Sequence, residues 1–175
     1  MNIKDNFSLF GMIEFPDVLS LLNLLCGMIS VLFAVEKEFT LAAVFMLVAV
    51  FFGLIYGRIA NFMKKDTHFG RELASLAGLG SFGVAPVLLA FQTTKGIGEG
   101  WIFAAIIYMV FIAAAALRHA RANLKETKYF EGMPSLVNGL IVPVFYFVGL
   151  TSWYPFIFLV SAILMISAFR LRKLF

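Results

Sequence analysis

Charge is the scarcest property of this sequence: Asp, Glu, Lys and Arg make up only 14% of its 175 residues, against about 25% in an ordinary soluble domain. Hydrophobic residues reach 62%, more than a water-soluble interior of this size can hide. Cysteine is nearly absent. The single Cys26 lies inside an apolar run, which excludes an intrachain disulfide, a Cys-based metal cluster and thiol redox chemistry. Long polar linkers, low-complexity tracts and tandem repeats are missing too, so residues 1–175 read as one transmembrane domain. No basic stretch precedes the first apolar run, where Lys4, Asp5, Glu14 and Asp17 stand instead, and no small-residue cleavage site follows it. That run is expected to be a retained span rather than a signal peptide.

What the sequence does have is apolar length. A bilayer core about 30 Å thick needs about 20 mostly apolar residues per spanning helix, and hydropathy divides the chain into runs near 17–35, 39–62, 71–92, 101–121, 133–150 and 153–171. Backbone polar groups cannot go unpaired in hydrocarbon, and the period-two alternation of barrel strands is absent. The expectation is an all-α integral membrane protein, a bundle of six transmembrane helices. Ahead of it, residues 1–16 carry Phe7, Phe10, Gly11 and Glu14, a pattern that suits either a short interfacial segment or a plain linker.

The 14 Lys and Arg residues are unevenly placed. Lys4, Arg58, Lys64, Lys65, Arg71, Arg118, Arg121, Lys125, Lys128, Arg170, Arg172 and Lys173 fall on one side of such a bundle, and only Lys37 and Lys95 on the other. The positive-inside bias then puts both termini in the cytoplasm. It also accounts for the formal charge of +4 through anionic head groups, without nucleic-acid binding.

The most informative stretch joins the second run to the third. Residues 53–61 read GLIYGRIAN and residues 70–78 read GRELASLAG. Positions 53, 56, 57 and 60 share one helical face, as do 70, 74 and 78. Two faces of small residues would meet across the connection, and close packing of transmembrane backbones is reason enough for that.

In its spacing this stretch resembles the signature of the CDP-alcohol phosphatidyltransferases, in particular their phosphatidylserine synthase branch. That signature runs aspartate, two residues, aspartate-glycine, two residues, alanine-arginine, about eight residues, glycine, three residues, aspartate, three residues, aspartate. Gly57, Ala60 and Gly70 stand at its glycine, alanine and second glycine. Four further segments resemble the branch: residues 16–27 (PDVLSLLNLLCG), 81–86 (SFGVAP), 117–123 (LRHARAN) and 129–135 (YFEGMPS). The resemblance implies a six-helix fold, a homodimer, and transfer of a phosphatidyl-type group from a CDP-linked lipid to an alcohol such as serine, with release of CMP. It implies a Mg²⁺ or Mn²⁺ site that grips the pyrophosphate, with one carboxylate as base. Gly57, Ala60, Gly70, Arg118 and Arg121 become the candidate residues for binding a CDP-lipid or its phosphate.

The departures matter as much. At the four aspartate positions this chain has Gly53, Tyr56, Ala74 and Gly78, and Asn61 replaces the arginine. Hard divalent cations need oxygen ligands and proton transfer needs a base within reach; Gly and Ala offer neither. A phenol with a pKa near 10 makes Tyr56 a poor ligand and a poor base. Asp66 and Glu72 are candidates to substitute, but Glu72 lies about 200° around the helix from Ala74, and both also read as solvated partners of Lys64, Lys65 or Arg71. No catalytic residue is intact on this reading, and no metal or other cofactor is expected.

Arg118 and Arg121, at i,i+3, read equally as a phosphate clamp or as cytoplasmic positive charge. His119 is expected to point away from both. Asn23 and Asn138 are costly in lipid unless they bond across helices. Three functional readings stay open: a degenerate family member with a structural, lipid-binding or partner-binding role; an altered synthase; and a transporter, disfavoured by the absence of repeated halves.

Overall fold

Helices dominate the computed structural model of the chain, which describes residues 13–63, 67–94, 100–124, 129–167 and 170–172. The first, α1 (Phe15–Val35), carries Pro16 in its opening turn, where a missing N–H costs nothing. Lys37 at φ 65° turns the chain into α2 (Phe39–Met63). The third, α3 (His68–Thr94), is capped by Thr67, whose Oγ1 accepts from the Gly70 N–H at 3.0 Å. It is interrupted by one π-helical turn at Gly80–Val84. Then come α4 (Trp101–Leu124), α5 (Leu136–Val148) and α6 (Tyr154–Ile166). A three-residue ribbon, β1 (Tyr129–Glu131) against β2 (Arg170–Arg172), pairs antiparallel at the end of the bundle.

Four of these helices, α1 through α4, are long and apolar enough to cross a bilayer. The other two have 13 residues each, a rise of about 20 Å. The run expected over 133–150 starts its helix only at Leu136, because Gly132 at φ 78° and Pro134 hold the preceding backbone out of helical geometry. That expected over 153–171 ends its helix at Ile166. Of the expected interfacial segment, residues 1–12 lie outside the described residues, and Phe15 and Pro16 already belong to α1.

Large apolar side chains cover the outside. Phe62, Leu124 and Phe103 are exposed at 90%, 85% and 70%, and similar residues line every long helix, a surface suited to lipid rather than water. The interior is made of small and aromatic residues: Tyr108 and Phe111 of α4 pack edge-on against Phe158 of α6, at ring separations of 5.0 and 4.6 Å. The Tyr154 hydroxyl donates to the Val142 carbonyl at 2.9 Å, tying α6 to α5. With this hydrophobic exterior and these long apolar helices, the chain is an integral membrane protein.

Between α1 and α3 the backbones nearly touch. A Cβ at Gly27 would overlap Ser81, and Ser81 Oγ donates to the Asn23 carbonyl at 3.0 Å. Ser81 sits in the π turn, whose extra residue rotates the following face of α3. The same turn carries buried Phe82 toward α2 and α5.

Candidate functional site

A cavity of about 300 Å³ opens among the helices. Ser20 and Asn23 line it from α1, Gly53, Tyr56 and Gly57 from α2, and Ala74, Ser75, Gly78 and Phe82 from α3. Arg118, His119 and Ala122 of α4 and residues 134–136 ahead of and opening α5 complete the wall. All four positions that the resemblance assigns to aspartates therefore converge on one space. Gly57 joins them, and a Cβ there would meet nothing within 4 Å.

The other candidate residues have other work. Gly70 is buried away from this cavity, where a Cβ would stand 2.6 Å from Asp17 Oδ1. Its bare Cα admits the buried Asp17 carboxylate to the N-terminal end of α3, a favourable place for negative charge. Asp17 Oδ2 also accepts from the Glu14 N–H at 2.9 Å. Ala60 is 5% exposed and packs within the bundle.

Arg121 does not join Arg118 at the cavity. Its guanidinium donates to the carbonyls of Ile166, Met165 and Ser167 at 3.1, 3.0 and 3.3 Å, so it caps the C-terminal end of α6. Gly132 makes room for this, since a Cβ there would lie 2.8 Å from Arg121 Nη2. Replacing Arg121 with Gln is expected to lower the stability of the folded protein by about 1–3 kcal/mol. Ligand binding in the cavity should stay unchanged; a thermal melt in detergent reads the first and a lipid-binding isotherm the second.

His119 corrects the sequence expectation. It lines the cavity beside Arg118, and its Nε2 stands 2.9 Å from Ser135 Oγ. It also occupies space at Gly78, where a Cβ would be 3.0 Å from His119 Cε1. At Gly53 a Cβ would meet Leu136 Cδ1 and Phe82 Cζ, each at 3.2 Å. The small residues at 53 and 78 are thus matched by side chains that lean over them.

The two asparagines also differ from expectation. Asn23 meets α3 through its backbone carbonyl, while its Oδ1 is buried with no hydrogen-bond partner among the described residues, like Ser20 Oγ and the Oδ1 and Nδ2 of Asn138. Asn23, legible from sequence as either a packing residue or a substrate contact, lines the cavity, whereas Ser20 went unrecognised although polar groups at i,i+3 in an apolar span were a legible signal. Ser135 gave no comparable sign. Glu72 lies outside the wall, accepting from Asn123 Nδ2 at 3.0 Å, and Ser75 Oγ donates to Asn123 Oδ1 at 2.9 Å. Asp66, Lys64 and Lys65 lie outside the described residues.

Chemically, the wall offers one permanent cation, Arg118, several neutral hydrogen-bonding groups and much apolar surface. Among the described residues no group of three or more His, Cys, Asp or Glu side chains is placed to hold a metal ion.

Comparison with known proteins gives this geometry its family. The family model of the CDP-alcohol phosphatidyltransferases matches residues 13–170. The archaetidylserine synthase of Methanothermobacter thermautotrophicus is 32% identical over 162 residues, which cover 89% of this chain and 68% of that protein. The CDP-diacylglycerol–serine O-phosphatidyltransferase of Saccharomyces cerevisiae is 32% identical over 149 residues, 75% of this chain and 52% of its own length. That of Bacillus subtilis is 28% identical over 138 residues, 75% of each chain. This chain thus spans between half and three quarters of the length of these relatives. With the match running from the start of α1 to β2, this integral membrane protein belongs to the CDP-alcohol phosphatidyltransferase family.

Proposed function

We propose that the chain is a degenerate member of its family, a lipid-head-group-binding protein of the phospholipid-synthesising membrane that does not carry out metal-dependent transfer. One observation carries this reading: Gly53, Tyr56, Ala74 and Gly78 converge on a single cavity and bring no carboxylate to it. By resemblance these are the family's metal-binding positions. Mg²⁺ and Mn²⁺ demand hard oxygen ligands, and the donor set here, a phenol with serine, asparagine and histidine side chains, does not fit them. No step is therefore routed through an ion. What remains is suited to binding: Arg118 attracts an anion, Asn23, His119 and Ser135 offer hydrogen bonds, and Phe82 and Leu136 supply apolar surface. The relatives' names describe serine O-phosphatidyl transfer and archaetidylserine synthesis. Metal-dependent release of CMP from a CDP-lipid in the presence of serine tests whether this chain retains such a reaction.

In the bilayer, this reading takes all six helices as spans, with α5 and α6 lengthened by the residues before Leu136 and by the turn at Thr151–Trp153. The twelve-to-two distribution of Lys and Arg puts both termini and the connection around Thr67 in the cytoplasm. Cysteines introduced at exposed Gly100 and Ser152 are expected to react with an impermeant maleimide added outside intact cells. One at Thr67 should react only after permeabilisation, and native Cys26, being buried, adds little background. Labelling at position 67 with protection at 100 would reverse the orientation.

A further inference from the structure

The cavity is closed on one side by the short stretch that opens α5. Residues 134–136 stand between α4 and α2: Ser135 Oγ lies 2.9 Å from His119 Nε2, and Leu136 Cδ1 would be 3.2 Å from a Cβ at Gly53. The rest of α5 packs chiefly on α2. On the α4 side this wall is therefore joined through the contact of Ser135 with His119.

The backbone just ahead of the wall is held by the end of α6 and by β2. The Met133 N–H donates to the Leu164 carbonyl at 3.2 Å. At φ 78°, the bare Cα of Gly132 lies against the Met165 carbonyl, which a Cβ would overlap. One residue earlier, β1 pairs with β2 in the register Tyr129 with Arg172, Phe130 with Leu171 and Glu131 with Arg170. Residues 129–136 thus run as one piece from the ribbon to the cavity wall. Two strands joined by three residue pairs are marginal in water, and such elements open locally at a small fraction of the free energy that unfolds the whole.

We propose that β2 is a strap that governs entry to the cavity. Paired with β1, it keeps residues 129–136 against the bundle, Ser135 on His119 and the cavity shut between α4 and α5. Unpaired, it lets the same residues swing outward, breaks the Ser135 contact and exposes the His119 ring. This adds regulation to the cavity of the proposed function, but its test uses neither ligand nor metal. Metal-dependent CMP release would remove that reading and leave the strap; failure of the strap experiment would do the reverse.

The experiment locks the ribbon in the full chain, purified in detergent, through Phe130→Cys and Leu171→Cys, with Cys26→Ala to leave no other thiol. These two positions are Cα partners, and antiparallel partners stand about 4.5–5.5 Å apart, a spacing that suits a disulfide. The readout is the rate at which diethyl pyrocarbonate modifies His119, followed by peptide mass spectrometry, with exposed His68 as the internal reference. Oxidised protein is expected to react at His119 at least tenfold more slowly than the same protein reduced, while His68 reacts equally in both. Equal His119 rates, or failure of the two cysteines to oxidise in the folded chain, would overturn the proposal. Hydrogen exchange of the unmodified chain tests it without any variant. Peptides covering 129–138 and 164–172 should exchange within about threefold of one another and at least tenfold faster than the buried middle of α1. Wall amides at Val137 and Asn138 as slow as those of α1, beside a fast-exchanging ribbon, would show the two uncoupled and overturn the strap.

Discussion

Supplied with a CDP-lipid, serine and either Mg²⁺ or Mn²⁺, the purified chain is expected to release CMP no faster than a protein-free control. The family's reaction, as the resemblance implies it, needs a metal to neutralise the pyrophosphate and a carboxylate to take the alcohol's proton. General-base help is worth about 10²–10⁴-fold, and a metal contributes several kcal/mol of charge stabilisation in the transition state. On the proposed reading neither is supplied by Gly53, Tyr56, Ala74 and Gly78, which line the cavity without a carboxylate. Glu72 offers no rescue, since it lies outside the wall against Asn123. A CMP assay with labelled CDP-lipid decides the matter: robust release that EDTA abolishes would refute this account and direct attention to Asp66.

The second large effect is a gain. The joint substitutions Gly53→Asp, Tyr56→Asp, Ala74→Asp and Gly78→Asp, with Asn61→Arg, place four carboxylates on one cavity of about 300 Å³. Without a cation these repel one another, and the new Cβ atoms at 53 and 78 press on Phe82, Leu136 and His119. The metal-free variant is therefore expected to melt several degrees below the unmodified chain, overpacking alone costing about 1–3 kcal/mol. Mn²⁺ at 100 times its dissociation constant should then return about 2.7 kcal/mol, while the unmodified chain shows no Mn²⁺-dependent shift. Adding His119→Ala should relieve the contact at 78 and raise the metal-free melting temperature of the variant. The obstructing atoms belong to side-chain ends rather than backbone, so the site can open without refolding the bundle. Equal Mn²⁺ responses in the two proteins would contradict the prediction.

Much of this site was legible in the sequence. The spacing put 53, 56, 57 and 60 on one face and 70, 74 and 78 on another, and five of these seven line the cavity while Ala60 and Gly70 do not; the five follow because α-helical periodicity holds through α2 and through α3 as far as Leu79. Arg118 was legible as a cation at the end of α4. Arg121 was not legible in its actual role, since i,i+3 spacing puts it near Arg118 but says nothing of the carbonyls at the end of α6 that recruit it. Gly70 likewise read as part of a small-residue face, whereas the Asp17 carboxylate on a different helix is what requires its bare Cα.

The sequence by itself determined the membrane character, the number and order of the apolar runs, the family and the absence of a carboxylate at 53, 56, 74 and 78, because composition, hydropathy and spacing are properties of the chain alone. Only the tertiary structure decided which polar groups share the cavity. The π turn at Gly80–Val84 breaks the 100° periodicity that a sequence reading must assume, and Ser81 and Phe82 within it meet Asn23 and Gly53. His119 reaches the cavity because Gly78 leaves room beneath its ring and Ser135 stands within hydrogen-bonding distance. Arg121 turns away because the last helix ends where its unpaired carbonyls can be capped. Such outcomes depend on contacts between residues some 15 to 60 positions apart, and local pattern carries no record of them.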